Sequence, residues 1–316
     1  MPSPEFIKLY KAMAAQPRVP ATDAERLDGL MAMRLGMEKG AARNALPEGL
    51  AVAPVDGAPL PAECLMPRGA REGRVILYLH GGAFALGSIA SHRHVAAWLA
   101  EAAGCPVIIA DYPLAPEHPF PAAVEGVADL YRWLVGQGAP VALAGDSAGA
   151  NLALVTAMAA QTTPVAIATL SPTVDVGAFF RDRGGNADPS LDEAMIAWAF
   201  GLYLGATDPA DPRVSPMEGA LGRLPPTFVQ YAEAEVFAPA ARRFVDRMQA
   251  AGVLVEQDIW PDMVHAWHWF APRLPEARDA LARAGAFLSA AFDRLDEEER
   301  TPWKPQSFPA VRKASD

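Results

Sequence analysis

Ser147 lies between two glycines in the segment Gly145-Asp-Ser-Ala-Gly149, which follows an apolar run and opens a stretch of helical character. This is the pattern G-x-S-x-G, in which a tight turn between a strand and a helix holds the serine with its hydroxyl exposed. We therefore predict that Ser147 is the nucleophile of an acyl-transfer reaction. An ordinary N-cap serine is the alternative, and the strand that precedes the turn disfavours it.

A second glycine-rich turn, His80-Gly-Gly-Ala-Phe84, follows an upstream apolar run. The oxygen that becomes negative when a serine attacks a carbonyl needs preorganised N–H donors, which such a turn can direct at one point. The residue after the serine supplies a partner donor in sites of this kind. We predict an oxyanion hole with donors at Gly82, Ala83 and Ala148, and we expect Gly81 to shape the turn. A plain Gly-Gly turn beside a packed histidine is the alternative.

A serine nucleophile needs a histidine base and an acid that orients it, and after a turn of this type they follow in the order acid, histidine. Only His265 and His268 come late enough in the chain. His265 follows the last predicted strand and is the predicted base, whereas His268 is expected to pack locally or line a pocket. Glu235, which follows the strand before, is the predicted acid. Glu233 and Asp262 remain alternatives.

Short apolar runs alternate with helical patterns along most of the chain. Strands are predicted at 74–79, 106–110, 140–144, 164–170, 227–231 and 253–259. Helices are predicted at 92–103, 121–137, 148–161, 238–251 and 275–294. This alternation predicts right-handed crossovers and a mostly parallel, doubly wound sheet. Leu50 to Met66 adds a predicted antiparallel hairpin ahead of the first parallel strand.

Two segments fall outside this alternation. The first 45 or so residues predict two helices, separated by Pro17 and Pro20, and Thr22-Asp-Ala-Glu25 is a capping box for the second. Residues 178–216 stand where a short crossover should be and contain another capping box, Ser190-Leu-Asp-Glu193. An apolar helical stripe follows, formed by Leu191, Met195, Trp198 and Leu202. We interpret this insertion either as a surface helix docked on the core or as a lid over a pocket.

Several longer segments match sequence motifs of one protein family. They are 80–88, 91–93, 111–123, 145–153, 170–172, 211–216, 224–226 and 261–265. Over about residues 1–295 the sequence resembles the hormone-sensitive-lipase-like branch of the α/β-hydrolase esterases, called family IV among bacterial esterases. The resemblance implies Ser147 as nucleophile, His265 as base and Glu235 as acid.

The resemblance also implies supporting residues and shows three departures. His80, Asp111, Glu117 and Asp146 are expected to have structural roles around the oxyanion loop. Ala83 replaces the third glycine of the common His-Gly-Gly-Gly loop, and Pro113 replaces the arginine of the Asp-Tyr-Arg-Leu-Ala-Pro-Glu motif. The acid stands in Glu235-Val-Phe, where the family often has an Asp-Pro-Leu-Arg-like turn.

The implied architecture is an α/β-hydrolase fold with about eight strands and a helical cap. Residues 1–48 are predicted to form N-terminal cap helices and 178–213 an inserted cap helix. The catalytic domain would comprise 49–177 and 214–296, followed by a tail at 297–316. Candidate lining residues of a pocket under this cap are Met31, Leu35, Phe84, Phe180, Met195, Trp198 and Tyr203.

Length and composition exclude several classes of protein. The chain has 316 residues, of which 51% are hydrophobic, so we expect a large folded core. Its net charge is −10, and because like charges repel, nucleic acid and anionic membranes are poor partners. Two cysteines are too few for a disulfide framework. The sequence has no signal-peptide core and no apolar run long enough to span a bilayer, so we expect a cytoplasmic protein. A homodimer is one of the expected oligomeric states.

The expected activity is hydrolysis of short- to medium-chain carboxylic esters through a Ser-His-Glu triad and an acyl-enzyme intermediate. The small ester is the expected partner, and the chemistry calls for no metal or organic cofactor. The same triad could hydrolyse lactones, carbamates or amides, or transfer an acyl group to another acceptor. A non-catalytic small-molecule receptor on the same fold is the alternative outside the enzymes, and His265 argues against it.

Overall fold

A computed structural model of the chain describes residues 1–15, 21–181 and 188–299. Eight strands form one sheet: β1 (Ala51–Pro54), β2 (Ala62–Met66), β3 (Val75–Leu79), β4 (Val107–Ala110), β5 (Val141–Asp146), β6 (Ile167–Leu170), β7 (Thr227–Ala232) and β8 (Val255–Trp260). Their spatial order is β1-β2-β4-β3-β5-β6-β7-β8. The pairs β1/β2 and β2/β4 are antiparallel, and all the others are parallel. The sheet therefore has the predicted hairpin at one edge and is otherwise parallel.

Helices cover both faces of this sheet. They are α1 (Pro4–Ala14), α2 (Asp23–Ala41), α3 (Ile89–Ala103), α4 (Ala122–Gly136), α5 (Ala148–Ala159), α6 (Val176–Arg181), α7 (Glu193–Leu204), α8 (Ala238–Ala250) and α9 (Pro275–Glu299). Within the described ranges, none of these helices combines the length and the apolar character needed to cross a membrane.

Strand β3 shows how the sheet separates two cores. Val75, Leu77 and Leu79 point into the core beneath α4, α5 and α8, while Ile76 and Tyr78 point into the core beneath α3 and α9. Alternate side chains leave a strand on opposite faces, so a strand covered on both sides must be apolar throughout. This is the physical basis of the continuous apolar runs in the sequence.

Side-chain caps set two helix boundaries that differ from the predicted ones. Helix α3 begins three residues earlier than predicted, because the Ser88 hydroxyl accepts the Ser91 N–H in a capping box. Helix α7 begins at Glu193 and is capped by Asp192, which accepts the N–H groups of Ala194 and Met195. The predicted capping box at Ser190 was wrong, because the Ser190 hydroxyl donates to Asp188 instead.

The helices near the two ends of the chain agree with the prediction at one end and extend beyond it at the other. The Thr22 capping box is present and starts α2, as predicted. Helix α9 continues to Glu299, so the predicted tail begins at least three residues later than expected, because the helical pattern does not break at residue 297. The predicted break at Pro17 and Pro20, and residues 300–316, lie outside the described residues.

Three histidines are buried in the core, and the carboxylate of Asp146, which lies 3.7 Å from His92 Nε2, does not offset the effect of burial on their pKa. The ring of His80 stacks between those of Tyr112 and His92, with centroids 4.2 and 5.4 Å away. His268 packs on Trp267 and lies 2.6 Å from the Gln230 side-chain oxygen. Burial, together with a neighbouring histidine, lowers the pKa of His80, His92 and His268 to about 3. All three rings are therefore neutral in the folded protein at neutral pH.

These histidines predict a loss of stability in mild acid. The unfolded chain takes up protons on them below about pH 6.5, whereas the folded chain does not until about pH 3, so stability is present above pH 6.5 and falls below it. Each ring contributes about 1.4 kcal/mol per pH unit in that window. Urea unfolding should give a smaller free energy of unfolding at pH 5.5 than at pH 7. In His268→Gln this difference between the two pH values should be smaller by about 1 kcal/mol. His118→Gln, at an exposed ring, is the matched control; an equal effect of both variants would contradict this account.

Candidate active site

The turn between β5 and α5 holds Ser147 in a strained conformation. Its φ and ψ are 51° and −115°, a region that L residues rarely adopt. A Cβ on Gly145 would lie 2.6 Å from the Gly149 carbonyl carbon, and a Cβ on Gly149 would collide with the carbonyl of Leu79. Only glycine fits at either position, which explains the spacing of the G-x-S-x-G pattern. The turn therefore presents the Ser147 hydroxyl at the carboxyl edge of the sheet.

Ser147, His265 and Glu235 are brought into one hydrogen-bonded line. His265 Nε2 lies 2.9 Å from Ser147 Oγ, and His265 Nδ1 lies 2.9 Å from Glu235 Oε2. The three residues follow β5, β8 and β7, and the carboxyl ends of parallel strands meet at the same edge. Of the alternative acids, Glu233 pairs with Arg242 and Asp262 is exposed. Of the three predicted carboxylates, Glu235 is thus the one that contacts the His265 ring.

All three members of this line are largely shielded from solvent, at 9%, 8% and 2% exposed for Ser147, His265 and Glu235. Burial by itself lowers the pKa of His265, since it disfavours the charged ring. The carboxylate of Glu235, helped by those of Asp188 and Asp146, more than offsets this and raises the pKa above its ordinary value of 6.5. The site therefore stabilises a protonated His265.

The oxyanion loop follows β3 and lies beside the serine turn. Gly82 has a φ of 124° and Ala83 a φ of 51°, so the loop keeps a left-handed conformation although its third glycine is replaced by alanine. Gly82 and Ala83 line the same cavity as Ser147. The N–H of Gly81 donates to Asp146 Oδ1 over 2.9 Å, so Gly81 shapes the loop. Ala148 begins α5 directly after the serine.

Buried polar groups support this loop from behind. Asp146 Oδ1 also accepts the Tyr78 hydroxyl at 2.6 Å, and the Tyr112 hydroxyl donates to the His80 carbonyl at 2.7 Å. The His80 ring donates from Nδ1 to the Gly81 carbonyl at 2.9 Å. Asp111 accepts the N–H of Ile89 at 2.6 Å, at the start of α3. Of the predicted supporting residues, His80 and Asp146 thus contact the loop and Asp111 contacts the helix that follows it.

The loop that carries His265 is held at two consecutive N–H groups. The N–H of His265 donates to Asp188, and the N–H of Ala266 donates to Ser171 Oγ at 3.0 Å. Ser171 stands in one of the family-like segments, but nothing in the sequence pattern pointed to Asp188. It comes from the insertion, 77 residues away from His265 in the chain.

A cavity of about 470 Å³ opens above Ser147 and His265. Its walls are mostly apolar and come from the N-terminal helices, from α7 and from the segment after His265. The lining residues outside the triad and the oxyanion loop include Met13, Met37, Leu86, Leu191, Met195, Ile196, Phe200, Phe237, Trp269 and Phe270. Both segments predicted to form a cap therefore contribute to this cavity.

Of the seven predicted lining residues, the structure places Met195 in the cavity wall. Phe84 and Tyr203 stack on each other behind that wall, with ring centroids 3.9 Å apart and no exposed surface. Phe180 packs against Phe200, and Trp198 is half-buried on α7. Phe84 and Phe180 contact Phe200 of the cavity wall, so they support that wall from behind.

Met31 and Leu35 do not line the cavity, because they lie on the outer face of α2. They are 57% and 47% exposed, whereas Leu30 is buried and Met37 reaches the cavity. Positions 31 and 35 are one turn apart on one side of the helix, and positions 30, 34 and 37 share the other. The apolar pattern alone did not distinguish the two faces.

Known proteins share both the sequence and this geometry. A family model described as an alpha/beta hydrolase fold matches residues 76–269. An acetyl-hydrolase of Streptomyces hygroscopicus is 43% identical over 231 residues, which cover 70% of this chain and 77% of that protein. A crystal structure of an esterase from the bacterial hormone-sensitive lipase (HSL) family matches this chain with a TM-score of 0.80 and 37% sequence identity. A crystal structure of EstE5 soaked by p-nitrophenyl butyrate matches it with a TM-score of 0.83 and 35% sequence identity. Each of these two structures covers 92% of this chain, and this chain covers 99% of each.

The chain belongs to the hormone-sensitive-lipase-like branch of the α/β-hydrolase family. The predicted fold class and the predicted family are therefore confirmed, and the expectation of a carboxylesterase agrees with the relatives of this enzyme.

This hormone-sensitive-lipase-like enzyme uses Arg34 of α2 near the motif in which Pro113 replaces an arginine. Arg34 donates to the carbonyls of Ala85 and Ala115 at 2.9 and 2.8 Å and forms two hydrogen bonds, of 2.7 and 2.9 Å, with the Glu117 carboxylate. Those bonds lower the pKa of Glu117. Arg34 was not among the predicted site residues, since an arginine within an amphipathic helix usually faces solvent.

Removal of the Arg34 side chain should loosen the oxyanion loop of this hormone-sensitive-lipase-like enzyme. We expect Arg34→Ala to lower kcat about tenfold with little change in KM, because the Ala85 carbonyl loses its charged donor, and to cost about 2 kcal/mol of stability. Steady-state kinetics and urea unfolding measure the two effects. Arg26→Ala, on the same helix but paired with Asp23, is the control. Equal kinetics of the two variants would refute the role.

Proposed function

We propose that this chain hydrolyses short- to medium-chain carboxylic esters through a triad of Ser147, His265 and Glu235. The observation that carries the proposal is the line of two 2.9 Å contacts that joins the three side chains. Serine is a weak nucleophile at neutral pH unless a base accepts its proton as it attacks. His265 is placed to do so, and Glu235 accepts the Nδ1–H, which leaves Nε2 free to act as the base.

The reaction proceeds in two acyl-transfer steps. Ser147 Oγ attacks the ester carbonyl while its proton moves to His265 Nε2, and the tetrahedral intermediate collapses when His265 protonates the leaving alcohol. A water molecule then gives its proton to His265 and attacks the acyl-enzyme, and the carboxylic acid leaves as the proton returns to Ser147. Glu235 stabilises the protonated ring in both steps.

The oxyanion of each tetrahedral intermediate would be stabilised by backbone N–H groups of Gly82, Ala83 and Ala148. Gly82 and Ala83 line the cavity next to Ser147, and Ala148 follows it in the chain. Because the hydrogen bond from Gly81 to Asp146 fixes the loop before substrate arrives, these donors need little reorganisation when the charge develops.

The cavity supports small, uncharged esters as substrates. At about 470 Å³ it is within the size range of small-molecule sites, and the described lining contains no lysine or arginine that would attract an acidic substrate. A related protein, EstE5, was soaked by p-nitrophenyl butyrate, which is a short ester. Lactone, carbamate or amide hydrolysis on the same triad remains the second candidate, and leaving-group assays separate it from ester hydrolysis.

Loss of the nucleophile should abolish turnover without unfolding the protein. We expect Ser147→Ala to lower kcat on p-nitrophenyl acetate and butyrate by at least about 10⁴-fold, and Glu235→Gln by about 10³-fold through misorientation of His265. A fluorophosphonate probe should label the wild type and not Ser147→Ala. Ser3→Ala, at the N-cap of α1, is the control that should keep both labelling and rate. Retained turnover in Ser147→Ala would overturn the assignment, and a receptor without catalysis would not react with the probe.

The size of the cavity predicts the dependence on acyl length. Among p-nitrophenyl esters, kcat/KM should peak at about eight carbons or fewer and fall beyond, since a longer acyl chain must leave the apolar cavity. Initial rates at several concentrations of each ester, from acetate to hexadecanoate, provide the measurement. A maximum beyond dodecanoate would contradict the proposed substrate class.

A further inference from the structure

Asp188 is a buried carboxylate of the insertion that the mechanism above does not use. It is 1% exposed, and its Oδ1 accepts the N–H and the hydroxyl of Ser190 at 2.8 and 2.6 Å. Its Oδ2 accepts the N–H of His265. Burying an ionised carboxylate is costly unless several donors satisfy it, and here they come from two separate parts of the chain.

The contact with His265 acts at the backbone of the catalytic histidine. Two consecutive N–H groups are held by different segments of the chain, that of His265 by Asp188 and that of Ala266 by Ser171. Ala266 has a φ of 49°, so the chain turns sharply just after the histidine. Two anchors on successive residues fix the position of the His265 Cα, and hence the two distances from its ring to Ser147 and Glu235.

Asp188 also contributes charge. The titratable groups that face His265 are the carboxylates of Glu235, Asp188 and Asp146 and the ring of His268. Of the carboxylates, Glu235 contacts the ring itself, Asp146 belongs to the oxyanion support and Asp188 contacts the backbone. Removing the charge of Asp188 should therefore lower the pKa of His265 while leaving the hydrogen bond to Glu235 in place.

We propose that Asp188 is a positioning residue for His265, through which the inserted cap segment orients and electrostatically supports the catalytic base. This inference rests on the proposed function of His265. It makes the insertion part of the catalytic apparatus, since the same segment that closes the cavity with Leu191 and Met195 also holds the histidine loop.

The test is the pH profile of Asp188→Asn, which removes the charge and keeps one acceptor oxygen. We expect plateau kcat/KM to fall about tenfold and the midpoint of the acid limb to move down by about half a pH unit or more. The ratio of variant to wild-type kcat/KM should therefore rise as the pH falls. Rates are normalised to the active-site concentration found by fluorophosphonate titration. Asp208→Asn is the matched control, because Asp208 lies in the same insertion, accepts the N–H of Ala210 and is exposed.

The outcomes separate positioning from a structural role. A lower titrated fraction with an unchanged midpoint and unchanged rate per active site would show that Asp188 only stabilises the fold, and would overturn the proposal. If Asp188→Asn does not fold, Asp188→Glu decides instead. Because Asp188→Glu keeps the charge, the midpoint of the acid limb should not move, while the plateau kcat/KM should fall at least threefold. A plateau kcat/KM equal to that of the wild type would overturn the proposal. If the wild type itself neither hydrolyses esters nor labels at Ser147, the proposed function fails; if it does both and Asp188→Asn matches it, only this inference fails.

Discussion

The close approach of the serine turn to the end of β3 is the contact on which the whole site depends. Gly149 lies directly against the Leu79 carbonyl, and Asp146 accepts the N–H of Gly81. Since β3 and β5 are neighbours with Leu79 paired to Gly145, the register of the sheet sets the distance between Ser147 and the glycine-rich loop that begins at His80. The site can thus store the strain of Ser147, because a rigid sheet holds the residues around it.

The cap segments add what the sheet edge lacks. The sheet places Ser147, His265 and Glu235. Helix α2 contributes Arg34 to the oxyanion loop, and the insertion contributes Asp188 to the histidine loop. In both cases a charged side chain holds backbone groups of a catalytic loop, an arrangement that is strong in a partly buried environment. The N-terminal helices and the insertion therefore line the cavity and also support the loops beneath it.

Local sequence was enough to locate the eight strands and to single out the residues that we propose as the triad. The strand–turn–helix around Ser147 and the positions of Glu235 and His265 after late strands each follow from short-range patterns with a physical cause, and the structure joins these residues in one line. The sheet could be predicted because a strand covered on both faces must be apolar throughout. The start of α7 was predicted less well, because the side chains of Ser190 and Asp192 can both act as an N-cap. The Ser190 hydroxyl is taken up by Asp188, so Asp192 caps the helix.

What the sequence determined by itself was the chemistry: a serine in a turn that only glycines permit, with an acid and a histidine in the order that a parallel sheet can bring together. The tertiary structure decided which face of α2 is buried, which side chains line the cavity, and that Arg34 and Asp188 reach the catalytic loops. The reason is physical. Turn geometry and strand burial depend on neighbours in the chain, whereas the partner of a charged side chain depends on helix docking across 51 or 77 residues.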